Sequence, residues 1–314
     1  MALTASDIAR TRASPGSSAL LFLTDRCPVE CAHCSVGSLR GGRGITDWPR
    51  FTALVASLAA REAIQVVAVS GGEPFAERRG LIHAAQELHA AGKHLVLYTS
   101  GYFGGTAAAG WAAEVLRRAE TIVLSTDRHH RALVPDEAWL AAAVLARRSG
   151  AWLIVQTLEG EADQARGLLR RAFGPGWAGW AEIEEQPGLS HGRGADWFPA
   201  PPAAGPGRCG LVGTAVVRYD GTVSACCNET VIMGGGPARL RRTADSAPAL
   251  DEALDGFAED PLLWAIGEAG PAALETGSPQ GGLCAQCWRV LDRFPPTGSH
   301  PFVDALRGLR GGLS

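Results

Sequence analysis

The chain has 314 residues, a formal net charge of −3 at pH 7 and a pI near 6.2, so it lacks the basic excess typical of nucleic-acid-binding proteins. No run of 18 apolar residues is present, and the polar N-terminal residues lack the apolar segment of a signal peptide. We therefore expect no membrane span and a cytoplasmic protein. In that compartment, eight cysteines favour metal ligands or reactive thiols over a disulfide framework.

Strand-length apolar runs alternate with helix-length segments over the first two thirds of the chain. The predicted strands cover residues 18–24, 64–70, 94–100, 121–127, 151–159 and 180–187. The predicted helices between them cover residues 48–62, 78–92, 105–120, 135–150 and 161–173. This alternation predicts an α/β fold with a parallel sheet, either doubly wound or, as we prefer, a partial (β/α)6 TIM-like barrel.

The composition changes near the end of the sixth predicted strand. Residues 194–208 are rich in Pro and Gly and are predicted to form a linker. Residues 213–227 contain two strand-length runs around Asp220-Gly221, which is a strong hairpin signal. We therefore predict two domains, a barrel over residues 1–205 and a small α+β domain over residues 206–314. Further helices are expected over residues 249–268 and after residue 301.

Three cysteines follow the first predicted strand in the pattern C-x3-C-x2-C: Cys27, Cys31 and Cys34. In barrel folds the loops at this end of the strands carry the active site. A zinc site prefers a fourth ligand, whereas a [4Fe–4S] cluster held by three thiolates leaves one iron free to bind a small molecule. The second predicted strand leads into Gly71-Gly72-Glu73-Pro74, and glycines permit a close approach of backbone to ligand.

These two motifs, each placed after a predicted strand, resemble those of the radical S-adenosylmethionine (SAM) superfamily. The resemblance implies that the three cysteines hold a [4Fe–4S] cluster whose open iron chelates SAM. Cleavage of SAM then gives a 5′-deoxyadenosyl radical that abstracts a hydrogen atom. The methionine amino group is expected to contact Gly71, Gly72 and Glu73. Further SAM contacts are implied for polar residues that are otherwise ordinary loop or strand-end positions: His33, Ser125, Gln156 and Arg193.

Four more cysteines lie around the predicted hairpin and in a later C-x2-C: Cys209, Cys226, Cys284 and Cys287. They resemble the twitch subdomain of some radical SAM enzymes, in which a hairpin and a C-x2-C loop hold one auxiliary [4Fe–4S] cluster. The resemblance therefore implies two clusters in total. The alternative for these four residues is a structural zinc site. The remote alternative for the whole chain is a zinc-binding protein without catalysis.

One cysteine, Cys227, remains outside both sets. Adjacent side chains in a strand point to opposite faces, so a cluster-facing Cys226 turns Cys227 toward the barrel mouth. A thiol there would return a hydrogen atom to a carbon radical on the opposite face, which inverts a stereocentre. The Cys-Cys pair resembles that of radical SAM epimerases, including peptide L-to-D epimerases. The alternative is an inert buried thiol.

The epimerase resemblance extends to Ser125-x-Asp127-x-x-His130 and to YTSGYFGG at residues 98–105. Asp127 and His130 are expected to contact substrate or SAM, or to accept a proton. The implied substrate is a peptide or glycoside natural-product precursor, and the implied partner is an electron donor such as flavodoxin or ferredoxin. Only 26 residues precede Cys27, so no leader-peptide recognition domain is expected there. The main alternative is a dehydrogenase or cross-linking enzyme that oxidises its substrate through the auxiliary cluster and needs no Cys227.

Overall fold

A nine-stranded sheet organises the computed structural model, which describes residues 2–202, 205, 207–275, 281–294 and 300–311. The strands are β1 Ser18–Phe22, β2 Val66–Ser70, β3 His94–Thr99, β4 Thr121–Ser125, β5 Trp152–Leu158, β6 Ala181–Gln186, β7 Val212–Arg218, β8 Thr222–Cys226 and β9 Arg241–Thr243. The α-helices are α1 Ala5–Arg12, α2 Trp48–Ala60, α3 Arg78–Ala90, α4 Ala109–Leu116, α5 Arg128–Arg131, α6 Asp136–Ser149, α7 Ala162–Phe173, α8 Glu229–Ile232, α9 Ala247–Ala258, α10 Pro261–Ala269, α11 Leu283–Arg293 and α12 Pro301–Gly311.

The first six strands form the partial barrel. Each pairs in parallel with the next along the chain, in the order β1 to β6. Helices connect consecutive strands, as parallel pairing requires. The prediction of an α/β fold with a parallel sheet and a partial TIM-like barrel is therefore confirmed. The crossover helix predicted over residues 105–120 is shorter than expected, because a 3-10 turn over Tyr102–Gly105 precedes it.

The predicted hairpin is present, and it extends the barrel sheet. β7 pairs in parallel with β1, and β8 and β9 continue as antiparallel neighbours. Gly221 closes the β7–β8 turn with a φ of +89°, which only glycine adopts freely. Because the sheet runs from the barrel into the hairpin without a break, the residues after β8 lie beside the barrel. The boundary near residue 205 stays a prediction.

The N-terminal helix α1, which the sequence analysis does not predict, fills the barrel bore at the end where the strands begin. Thr4 and Asp7 form a capping box that fixes its first turn. Its apolar residues pack against one inward-facing layer of the barrel strands, which consists of Val66, Val96, Val123 and Ile154. Burial of Leu3 and Ile8 against this layer stabilises the plug.

The helical segment predicted over residues 249–268 consists of two helices, α9 and α10. Asp260 caps α10 by accepting hydrogen bonds from the backbone N–H groups of Leu262 and Leu263. Pro261 cannot donate to the hydrogen-bond ladder of α9, so the first helix ends before it. Within the described ranges, no helix is both long and apolar enough to cross a membrane.

Candidate active site

A cavity of about 450 Å³ extends from the plug helix α1 to the loops that follow the barrel strands. It brings together residues that are far apart in sequence. The predicted site residues that line it are Cys27, Cys31, His33, Cys34, Gly71, Gly72, Ser125, Asp127, His130, Gln156 and Cys227. The predicted site residues outside its lining are Glu73, Arg193, Cys209, Cys226, Cys284 and Cys287.

The three N-terminal cysteines lie on the loop after β1 and share this cavity. Cys27 and Cys31 are buried and Cys34 is half-buried. Burial, followed by the nearby charge of Glu73, raises the pKa of Cys27 to about 12. Such a thiol does not ionise at neutral pH on its own, although coordination by a metal deprotonates it. Three soft sulfur ligands facing one cavity fit an iron–sulfur cluster with one open iron.

The Gly-Gly-Glu segment crosses directly over this loop. Gly72 N–H donates to the Thr24 carbonyl at 2.7 Å, and Glu73 N–H donates to the Arg26 carbonyl at 2.8 Å. A Cβ on Gly72 would meet the Arg26 carbonyl, and a Cβ on Gly71 would lie 2.8 Å from the Thr24 carbonyl oxygen. The two glycines are therefore required by the close packing of two backbones, and they remain on the cavity wall.

The carboxylate of Glu73 connects this turn to the end of β3. It is buried and accepts hydrogen bonds from Thr99 Oγ1 at 2.8 Å, Ser100 N at 2.9 Å and Ser100 Oγ at 2.6 Å. Burial raises the pKa of Glu73 even though these bonds oppose the rise. The family resemblance implies a direct contact between Glu73 and SAM, whereas in the structure the Glu73 side chain bonds to protein groups at the end of β3.

A second buried carboxylate links the cysteine loop to the loop after β4. Asp127 accepts hydrogen bonds from the backbone N–H groups of His129 and His130 at 2.8 and 2.9 Å. Its Oδ2 lies 2.5 Å from His130 Nδ1 and 3.2 Å from His33 Nε2. Burial would raise the pKa of Asp127, but the bonds from the two imidazoles outweigh it and hold the pKa well below its usual range.

The imidazole of His130 is tied to the same loop. Burial would lower its pKa, yet hydrogen bonds to Asp127 and Cys31 raise the pKa of His130 to about 10. The pair is therefore an ion pair at neutral pH. It orients the loop that carries Cys31, so Asp127 and His130 border the cavity with fixed geometry rather than as mobile surface groups.

Two other predicted SAM contacts lie opposite each other on neighbouring strands. Ser125 and Gln156 are paired in the β4–β5 register, and both line the cavity. The environment of Arg193 differs from the one expected, because its guanidinium bonds to main-chain carbonyls of the cysteine loop.

The second set of cysteines gathers away from the cavity, next to the core. Burial raises the pKa of Cys226 to about 12, and the nearby sulfurs of its chain neighbour Cys227 and of Cys209 and Cys284 add to the rise. Burial also raises the pKa of Cys287, with further contributions from the other three. These mutual effects arise only between sulfurs that lie close together. The four thiols thus form one group, although Cys209 and Cys287 are far apart in sequence.

The spacing of the sulfurs bears on the zinc alternative. All eight cysteines are free thiols. Among the described residues, no three cysteine sulfurs lie within 4.8 Å of one another. A single zinc ion would bring its four sulfur ligands to roughly 4 Å from one another. The cysteine sulfurs are thus spaced more widely than the four ligands of one bound zinc ion.

Cys227 occupies a different environment from its neighbour in the chain. Cys226 is buried in the main core, whereas Cys227 packs against Phe22, Val216 and Ile232 and lines the cavity. Arg12 Nη2 donates to Cys227 Sγ at 3.1 Å. Burial raises the pKa of Cys227, although the Arg12 charge opposes the rise. The thiol therefore stays protonated at neutral pH.

The sequence analysis misses several residues of the cavity wall. Arg12 belongs to α1, and only the capping pattern of Thr4 and Asp7 signals that helix in the sequence. Tyr98 and Glu229 also line the cavity. Tyr98 begins the YTSGYFGG segment of the epimerase resemblance, whereas no local motif marks Glu229, which the fold alone brings to the cavity.

The N-terminal part of the chain matches a known domain family. The profile of the family described as a 4Fe-4S single cluster domain matches residues 13–130. This range contains the three cysteines of the first loop, the Gly-Gly-Glu segment and the loop of Asp127 and His130. A search of curated protein sequences finds no match.

Several solved structures share the fold. Streptococcus suis SuiB bound to S-adenosylmethionine matches with a TM-score of 0.55 at 12% identity, covering 81% of this chain and 68% of SuiB. Native anSMEcpe with bound AdoMet matches with a TM-score of 0.53 at 13% identity, covering 95% of this chain and 100% of that chain. BtrN in complex with AdoMet and 2-DOIA matches with a TM-score of 0.50 at 13% identity, covering 83% and 90%. At these identities the matches establish a common fold.

Proposed function

We propose that this chain, a radical SAM enzyme with an auxiliary cluster by its fold and its 4Fe–4S domain, is an epimerase that inverts an unactivated C–H stereocentre. One observation carries the proposal. Cys227 lines the same cavity as the three N-terminal cysteines, while its neighbour Cys226 lies in the core with the second set. The two adjacent thiols therefore have separate tasks.

The residues that would hold the cofactors follow from their surroundings. The first loop would bind one [4Fe–4S] cluster and SAM, and the second set would bind the auxiliary [4Fe–4S] cluster through Cys209, Cys226, Cys284 and Cys287. When bound, the first cluster and SAM supply a 5′-deoxyadenosyl radical that removes a hydrogen atom from a substrate carbon. Gly71 and Gly72 would present their backbone to SAM, and Ser125 and Gln156, which line the same cavity, would offer further polar contacts.

Cys227 then completes the inversion. Its S–H bond breaks as a new C–H bond forms on the opposite face of the substrate carbon, which leaves a sulfur radical on Cys227. One electron and one proton restore the thiol, and the electron comes from a one-electron donor such as flavodoxin or ferredoxin. Arg12 holds the sulfur from the side of the plug helix. The sulfur is therefore held on the wall of the cavity in which the substrate would bind.

The compared structures support a peptide substrate more than a sugar. SuiB has been solved bound to the precursor peptide SuiA, and anSMEcpe with a Kp18Cys peptide. BtrN, solved with 2-DOIA, keeps a small-molecule natural product as the second candidate. Either substrate would enter from the loops after the strands, because α1 closes the other end of the barrel.

The proposal is tested by anaerobic turnover of the peptides or glycosides encoded near the gene. In the Cys227→Ala variant we expect 5′-deoxyadenosine to form without the inverted product, and a substrate carbon radical to become detectable by electron paramagnetic resonance. Cys227→Ser is expected to behave in the same way, because an O–H bond is too strong to donate its hydrogen atom. If both variants formed as much product as the wild type, and that product were oxidised and not inverted, the epimerase proposal would be refuted in favour of substrate oxidation.

A further inference from the structure

Arg193 is bound to the loop that carries the three N-terminal cysteines. Its Nε and Nη2 donate to the Cys31 carbonyl at 3.0 and 2.9 Å, and Nη2 also donates to the Ser38 carbonyl at 3.0 Å. Its backbone N–H donates to the Cys34 carbonyl at 3.0 Å. The side chain is therefore hydrogen-bonded to the loop both before and after its third cysteine, Cys34.

The glycines that flank Arg193 bring the two backbones together. A Cβ on Gly192 would lie 2.6 Å from the Cys34 carbonyl oxygen, and a Cβ on Gly194 would lie 2.9 Å from the His33 carbonyl oxygen. Gly192 also has a φ of +53°, a conformation that L residues rarely adopt. The local chain is thus built to place Arg193 against the cysteine loop.

The positive charge of Arg193 has no acidic partner in the described part of the chain. Its three side-chain bonds all go to neutral carbonyl oxygens, and no described carboxylate lies within 4.0 Å of its guanidinium. A half-buried guanidinium without a counter-ion is costly. Its bonds to the Cys31 and Cys34 carbonyls place this charge against the segment that carries two of the three cysteines.

We propose that Arg193 is a positioning residue that clamps the cysteine loop and makes the N-terminal cluster easier to reduce. The inference rests on the proposed function only in assuming that these cysteines hold a [4Fe–4S] cluster. Reduction adds one electron to the cluster, and a fixed positive charge nearby stabilises the added negative charge. Arg193 therefore favours the reduced cluster, which is the form that the first step requires.

The test is a redox titration of the reconstituted full-length protein, followed by electron paramagnetic resonance. The signal that changes when SAM is added identifies the N-terminal cluster. For Arg193→Gln we expect the ratio of reduced to oxidised cluster at a fixed solution potential to fall about tenfold, equivalent to about 59 mV for a one-electron couple. Arg193→Lys keeps the charge and is expected to stay within about threefold of the wild type.

Arg26 provides a matched control, because it also lies on the cysteine loop but is paired with Glu77 at 3.7 Å and is half exposed. Arg26→Gln is expected to change the ratio less than about twofold. An unchanged ratio in Arg193→Gln would overturn the proposal. An equal fall in Arg193→Gln and Arg193→Lys would also overturn it, because geometry and not charge would then be responsible.

Iron analysis separates the remaining outcomes. Loss of iron from Arg193→Gln, with normal iron and a normal ratio in Arg193→Lys, would support the charge as the feature that the cluster needs. Loss of iron from both variants would assign a purely structural clamp and refute the electrostatic role. A wild-type protein without a SAM-responsive cluster would instead refute the proposed function.

Discussion

Two adjacent thiols, Cys226 and Cys227, face opposite sides of the end of β8. One lies with the second set of cysteines in the core, and the other lies on the cavity beside Arg12. We predict that Cys226→Ala loses about half of the roughly eight irons of two [4Fe–4S] clusters, while Cys227→Ala retains all of them. Iron and acid-labile sulfide counts after anaerobic purification measure this. Equal iron loss in the two variants would contradict the proposal that Cys226 binds a cluster and Cys227 does not.

Replacing Arg12 should change the orientation of the Cys227 thiol while leaving the thiol itself in place. Its guanidinium fixes the sulfur, so Arg12→Gln should let the thiol rotate out of line with the substrate carbon. We expect inverted product per 5′-deoxyadenosine to fall about tenfold, as a small misplacement of a reacting group typically costs. Arg10→Gln is the matched control, because the side chain of Arg10 is 76% exposed on the same helix. An unchanged amount of inverted product per 5′-deoxyadenosine in Arg12→Gln would show that Arg12 does not position the thiol.

The cysteines and glycines of the first loop stand out in the sequence because their spacing is local. Cys27, Cys31 and Cys34 lie within one loop, so their spacing alone predicts that they act as one ligand set. Arg12 and Arg193 are different, because their partners Cys227 and Cys31 are 215 and 162 residues away in the chain. Only the folded sheet brings such residues together, so no local pattern reveals the role of either arginine.

Among the elements, β7 is the one that ties the hairpin to the first cysteine loop. Arg218, at its end, donates to both carboxylate oxygens of Asp25 at 3.0 and 2.9 Å, and Tyr219 Oη donates to Asp25 at 2.7 Å. Asp25 lies two residues before Cys27 in this loop. The three side chains thus connect an element near the second set of cysteines to the loop of the first.

Arg218 is therefore expected to be important for stability. Its side chain is 8% exposed and that of Asp25 is 16% exposed, so Arg218→Ala leaves a mostly buried carboxylate without its cation. We predict a loss of about 3–5 kcal/mol in the free energy of unfolding, measured by urea denaturation. Arg307→Ala removes a side chain that is 66% exposed and should cost at most about 1 kcal/mol. Similar small losses in both variants would contradict the coupling between β7 and the loop.

The alternation of strands and helices is predictable because each strand is short, apolar and followed by an amphipathic segment. The six barrel strands are found within two residues of most predicted boundaries. The plug helix α1 escapes prediction, because within its span only Ile8 is buried and its apolar stripe is weak. The break between α9 and α10 depends on the Asp260 cap and on Pro261, which the apolar pattern of the segment conceals.

At the scale of the whole molecule, one continuous sheet determines where the two sets of cysteines lie. The pairing of β7 with β1 carries the hairpin to the edge of the barrel, so Cys227 reaches the barrel cavity. The sequence indicates a change of composition near residue 194 but gives no sign that the sheet continues across it. Strand order depends on packing between distant segments, so it emerges only from the three-dimensional structure.

The same arrangement allows the cavity to serve hydrogen removal and hydrogen return together. The residues expected at the SAM site, Gly71 and Gly72, and the thiol of Cys227 line one space of about 450 Å³. A volume of this size lies within the range of small-molecule pockets in proteins. The substrate carbon is therefore expected to lie between the SAM site and Cys227.

The most direct test of hydrogen return from Cys227 is the mass of the product after anaerobic turnover in heavy water. A thiol exchanges its hydrogen with solvent, so the account predicts a product about one mass unit heavier in the wild type and no such product in Cys227→Ala. A product about two mass units lighter, formed equally well by the wild type and Cys227→Ala, would contradict epimerisation. It would assign the chain to oxidation through the auxiliary cluster instead.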